Sequence, residues 1–185
     1  MVLQRPQPGS WTYEDLLALP DDGTRYEIIV GDLYEMTGPD AAHSLAVISL
    51  LRRLFPFTDA LEMTLLTAPS EIFFAGASPV QPDLVAFLPG DHWRGTSRGF
   101  EGVPAFVVEV LSPSTRGKDL LTKRDLYERS GIDEYWIVDP AERTVRVLVL
   151  ENGVYRDLVR AEGDAPVRSR LFPDLDFPAS AVFEA

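Results

Sequence analysis

The chain has 185 residues with 45% apolar and 25% charged side chains, the size and balance of one globular domain spanning residues 1–185. It lacks the ~18 to 20 consecutive apolar residues of a membrane helix, any cysteine for a disulfide or thiolate metal site, and, in Met1–Pro8, the basic start and apolar run of a secretory signal, so a cytoplasmic address is the default expectation. The net charge of −12 argues against a nonspecific polyanion binder, yet residues 92–129 carry seven Lys or Arg against five Asp or Glu, so a local site for nucleic acid survives that objection.

In chain order, Thr12 and Asp15 have the spacing of a capping box opening a short helix over Tyr13–Leu19, which Pro20 stops. Arg25–Val30 alternates, Gly31-Asp32 turns and Leu33–Met36 returns, which predicts a β-hairpin. Ala41–Phe55 has the broad apolar face of a helix. Three strands are expected near Thr64–Phe74, Val80–Leu88 and Ala105–Leu111. A helix over Lys118–Ser130 follows, with Gly131 at its C′ position. Glu134–Val138, Arg143–Leu150 and Val154–Val159 read as strands, the last two joined by Asn152-Gly153. The tail from Pro166 is punctuated by proline and holds a short edge element at most. The order is mixed α/β.

Two carboxylates stand out. Asp83 lies within Val80–Leu88, and Glu109 is the sole charge of Ala105–Leu111. A carboxylate buried alone costs several kcal/mol, so each must be paired, protonated or bound to a cation. On neighbouring strands the two could share one divalent ion. Singly, Asp83 could begin a turn and Glu109 could pair with an arginine. Lys123 shares a helix face with Leu120, Leu126 and Tyr127, where it either snorkels or reaches back over the strand ends. Two acids and a lysine form a kit for phosphodiester cleavage. With only His43 and His92 available, a typical zinc site is disfavoured, and Mg²⁺ or Mn²⁺ on oxygen ligands is expected. Gly95-Thr96-Ser97-Arg98-Gly99 matches the G-x-S-x-G pattern, but its flanks are polar and no histidine follows Ser97, so a serine hydrolase is rejected.

These residues carry a resemblance. Pro82-Asp83, the run Glu109–Thr115, Lys123 with Tyr127, and Glu134–Pro140 resemble the Uma endonuclease family of the PD-(D/E)XK superfamily, as do Tyr26–Leu33 and His43 upstream. The likeness spans roughly residues 11–178, and the string from Glu109 to Pro140 is its most specific part. It implies a restriction-endonuclease-like mixed β-sheet flanked by helices, here with an added N-terminal helix and β-hairpin. It further implies Mg²⁺ at Asp83 and Glu109, a homodimer, and Glu27 as another acidic contributor. From the residues alone, Glu27 could equally form a surface pair with Arg25. His43 reads as a core-edge or a catalytic histidine, while Gln81 and Asp119 are candidates for supporting roles. The superfamily's usual lysine, two residues after the glutamate, is replaced here by Leu111, and the resemblance moves that role to Lys123.

The expectation is a metal-dependent endonuclease acting on nucleic acid, DNA ahead of RNA, with the Val110 carbonyl as an extra metal ligand. Two alternatives stand beside it. One is a catalytically silent module of the same fold that serves binding or assembly. The other is a metal-dependent hydrolase of a small phosphorylated molecule, which calls for a closed pocket instead of an open groove.

Overall fold

A computed structural model of the chain describes residues 6–36, 38–74, 79–112, 117 and 119–184, without the side chains of residues 119 and 120. Helix α1 (Tyr13–Leu17) opens on Thr12, whose side chain accepts from the Asp15 amide while the Asp15 carboxylate accepts from Thr12, completing the capping box. Strands β1 (Arg25–Ile29) and β2 (Asp32–Met36) pair antiparallel as the expected hairpin. Helix α2 (Ala41–Ala60) begins on the Asp40 cap and runs through Pro56, well past the expected end at Phe55. Burial of Leu54 and Thr58 on the core offsets the hydrogen bond that the proline cannot donate.

The expected strand Thr64–Phe74 is split into β3 (Thr64–Thr67) and β4 (Ile72–Phe73), which join different sheets. The Ala68 amide donates to Asp83 O as the last rung of the β3–β5 ladder, and the Ser70 hydroxyl then turns back to the Thr67 carbonyl. Strand β5 (Leu84–Phe87) starts only after Pro82, which has no N–H to donate, so Asp83 lies at the mouth of the strand instead of inside it. Next come β6 (Arg94–Thr96) and β7 (Gly99–Glu101), a small hairpin where polar loop was expected, and then β8 (Phe106–Val110).

Among its described residues, the expected helix Lys118–Ser130 is a π-helical turn at Asp119–Lys123 followed by the α-helix α3 (Arg124–Ser130). Residues 113–116 and Lys118, part of the expected motif and helix, lie outside the described residues. Gly131 ends α3 with φ +82°, as its C′ position anticipated. Strands β9 (Glu134–Asp139), β10 (Thr144–Glu151) and β11 (Val154–Glu162) follow, with the short pair β12 (Pro166–Val167) and β13 (Phe177–Pro178) in the tail.

The central sheet has the order β11-β10-β9-β8-β5-β3. Among the described residues of this sheet only β8 and β9 run parallel; α3 supplies part of the crossover between them. One face packs Ala46, Leu50 and Leu54 of α2 and the tail residues Phe172 and Leu175 against Leu84, Phe106, Val108 and Trp136. The other packs Leu126 and Tyr127 of α3 and Ile29 of β1 against Val85, Val107 and Tyr135. This is the anticipated mixed sheet flanked by helices. Among the described residues no helix is long and apolar enough to cross a membrane.

Candidate active site

The β5–β8 register aligns the two acids. Leu84 pairs with Val108 in an antiparallel ladder, so extending the pairing by one residue sets Asp83 opposite Glu109. Side chains directly opposite on such a pair share one face of the sheet. The Val110 amide donates to Asp83 Oδ2 at 2.7 Å, and His43 Nε2 lies 3.1 Å from Asp83 Oδ1. Asp83 is thus gripped from β8 and from the first turn of α2.

Glu109 is 3% exposed, and two groups reach its Oε1 from the segment after β8. Lys123 Nζ lies 3.0 Å away and the Tyr127 hydroxyl donates at 2.5 Å. Lys123 and Tyr127 are four residues apart, so one helical face delivers both. Burial, with the charges of Glu109 and Glu27 beside it, pushes the Tyr127 phenol well above its ordinary range. Tyr127 therefore keeps its proton and serves as a donor.

Glu27 completes the cluster. It is buried on β1, with Oε1 3.2 Å from Lys123 Nζ and accepting from the Gln81 amide at 2.9 Å. Of its two sequence readings, the surface pair with Arg25 is not formed; Arg25 instead donates to Gln81 Oε1 at 2.9 Å. The structure thus gathers Asp83, Glu109, Lys123, Glu27, His43 and Gln81 around one cavity of about 340 Å³. The Asp119 side chain lies outside the described residues. His92 lines a separate groove.

Sequence reasoning set Tyr127 beside Lys123 but missed its bond to Glu109; its place on Lys123's face was the available signal. It also missed the backbone clamp of Val110 on Asp83, which no residue type announces.

The donors suit a hard divalent cation. Asp83 and Glu109 supply oxygen, with no thiolate to favour a softer ion. Among the described residues no group of three or more His, Asp or Glu side chains forms a metal cage. A hard cation such as Mg²⁺ or Mn²⁺ commonly takes only one or two carboxylates from a protein, with waters and substrate phosphate completing its shell.

Lys123 is 4% exposed between two buried acids, so removing its charge is expected to be costly. Lys123→Met should lower the unfolding free energy by about 3–5 kcal/mol, because two buried carboxylates lose their shared cation. Urea denaturation at neutral pH measures this; a loss below about 1 kcal/mol would mean that water reaches both acids.

Two comparisons bear on this arrangement. The sequence profile of the Uma2 family, described as "Putative restriction endonuclease", matches residues 13–180. A crystal structure of "a putative nuclease belonging to DUF820" from Anabaena variabilis ATCC 29413 has the same fold. It aligns with a TM-score of 0.74 over 94% of this chain and 97% of that chain, at 19% sequence identity. No curated protein matches the chain.

Proposed function

Because the chain belongs to the Uma2 family, we propose that it is a metal-dependent endonuclease that hydrolyses phosphodiester bonds of nucleic acid, DNA ahead of RNA, as a homodimer. The observation that supports this most is the meeting of Asp83, Glu109 and Lys123 at one cavity, although they are scattered along the sequence.

Asp83 and Glu109, with the Val110 carbonyl, would hold Mg²⁺ or Mn²⁺, and the ion supplies a Lewis acid for the scissile phosphate and a bound water of lowered pKa. Lys123 offsets negative charge gathering on the phosphate and helps to orient the attacking water. Its ammonium is fixed by Glu27 and Glu109, so little reorganisation accompanies that role. Tyr127 and His43 are positioning residues: the first holds Glu109, the second Asp83.

A second reading, hydrolysis of a small phosphorylated molecule, is favoured by one observation. The cavity of about 340 Å³ is walled by the β1–β2 hairpin and α2, on the scale of a small-ligand pocket.

The test is cleavage of supercoiled, linear and single-stranded DNA, of RNA and of mononucleotides at low salt, with Mg²⁺, Mn²⁺ or chelator. Wild type is expected to cut a polymer only with metal, and Asp83→Asn not at all. Turnover confined to mononucleotides would transfer the assignment to the second reading. Metal-independent cleavage, or cleavage that survives Asp83→Asn, would overturn both.

A further inference from the structure

A larger groove of about 940 Å³, which the proposed reaction does not use, adjoins the catalytic cavity. Its walls include four half-buried rings, Trp11, Tyr13, Phe73 and Trp93, and two exposed arginines, Arg94 and Arg98. Tyr13 stands edge-on to Phe73 with centroids 5.2 Å apart, and Trp93 stacks on Phe87 at 5.1 Å. The Arg98 guanidinium lies over both Tyr13 and Phe73, 5.7 and 5.1 Å from the ring centres. Glu101 ties the two arginines down, accepting from Arg94 at 2.6 and 2.9 Å and from Arg98 at 3.1 Å. The cations are therefore held in fixed poses with much of their charge answered locally.

The groove and the cavity are neighbours along the backbone. Pro79 lines the first and Gln81 the second, at most ~7 Å of extended chain apart. Between them stands Glu71, whose carboxyl burial pushes above its ordinary range while Tyr13 on one side and Gln81 on the other draw it back.

Resting on the nuclease reading, we propose that this groove seats unpaired bases of the strand whose backbone occupies the catalytic cavity. The bases stack on Trp11 and on the face of Trp93 away from Phe87, and the Arg98 guanidinium, lying over Tyr13 and Phe73, faces the adjoining phosphate. Every unpaired base offers a π-face, whereas an intact duplex buries those faces and offers mainly phosphates. A chain of net charge −12, with these arginines already paired to Glu101, is poorly equipped to hold a duplex by phosphates alone. The substrate class that follows is single-stranded or locally opened nucleic acid.

Tryptophan fluorescence tests this in chelator, where cleavage is off. Trp136 is fully buried, so quenching reports on Trp11 and Trp93. The titrants are a short oligodeoxythymidine, an oligouridine of equal length to distinguish the sugar, and a matched DNA duplex. Quenching by a single strand is expected at least about tenfold tighter than by the duplex. Trp11→Ala and Arg98→Ala, followed by competition with labelled strand, should each weaken binding about five- to hundredfold. Trp11→Phe keeps a ring and should hold affinity within about threefold, which separates stacking from misfolding.

Equal or tighter binding of the duplex, or unchanged affinity in both alanine variants, would overturn the proposal. The nuclease reading fails separately: binding that depends on Trp11 without any cleavage would remove the nuclease and keep the groove. Cleavage with unchanged affinity in Trp11→Ala and Arg98→Ala would do the reverse.

Discussion

Glu109→Gln is expected to lower metal-dependent cleavage by about 10²–10³-fold, the scale at which loss of one preorganised electrostatic group acts on a transition state. The fold should survive the change. The glutamine carbonyl still accepts from the Tyr127 hydroxyl, and Lys123 retains Glu27, so neither buried partner is stranded. Without metal, two buried acids share one ammonium, and removing one negative charge relieves that excess. The metal-free variant should accordingly unfold at or above the wild-type temperature, as happens where function is held at a cost in stability.

Metal supplies the contrast. An ion present at a hundred times its dissociation constant adds about 2.7 kcal/mol to a protein that binds it only when folded. For a chain of this length that is a rise in Tm of about 5–10 °C. Wild type should show this rise with Mg²⁺ or Mn²⁺, and Glu109→Gln should lose most of it. Calorimetry and cleavage assays on the same samples decide the matter. An equal metal-induced rise in both proteins would remove Glu109 from the metal site, whatever the activity does.

The second large effect lies away from the site. Glu134 is fully buried at the start of β9, and its carboxylate receives four donors. Trp136 Nε1 and the Ser169 hydroxyl reach Oε1 at 2.7 and 2.6 Å, and the amides of Arg170 and Leu171 reach Oε2 at 2.8 and 3.1 Å. One side chain thus ties the C-terminal tail to the central sheet. Glu134→Leu strands all four donors and should cost about 3–5 kcal/mol. Glu134→Gln preserves shape but turns an NH₂ toward N–H groups, for a loss of about 2–3 kcal/mol. Urea unfolding gives the magnitudes, and limited trypsin digestion should show earlier cleavage at Arg168 or Arg170 as the tail loosens. A variant as stable as wild type would mean that water satisfies the donors once the carboxylate is gone.

The sequence announced those parts that obey a local rule. The capping box at Thr12, the β1–β2 hairpin and the αL end at Gly131 each follow from a few adjacent residues. Asp83 and Glu109 were legible because a charge in an apolar run needs an explanation, and Lys123 because it shared a face with leucines and a tyrosine.

What escaped depended on residues far apart in the chain. The choice between Arg25 and Lys123 as partner of Glu27 is a contact across nearly a hundred residues, which periodicity cannot encode. The four bonds on Glu134 link β9 to residues 169–171, and sequence alone reads that glutamate as a strand terminus. The division of Thr64–Phe74 between two sheets escaped for a different reason: a local bond from the Ser70 hydroxyl to the Thr67 carbonyl interrupts a run whose composition favours one strand.

Glu27 reaches the site on a hairpin whose ladder, among the described residues, belongs to a separate two-stranded sheet. Side chains such as Ile29 dock the hairpin on the larger sheet. The hairpin carries Glu27 and one wall of the cavity, whereas Asp83 and Glu109 are aligned by the β5–β8 register. The alignment of the acid pair and the enclosure of the cavity are thus set by two different backbone ladders, so a change in one need not disturb the other.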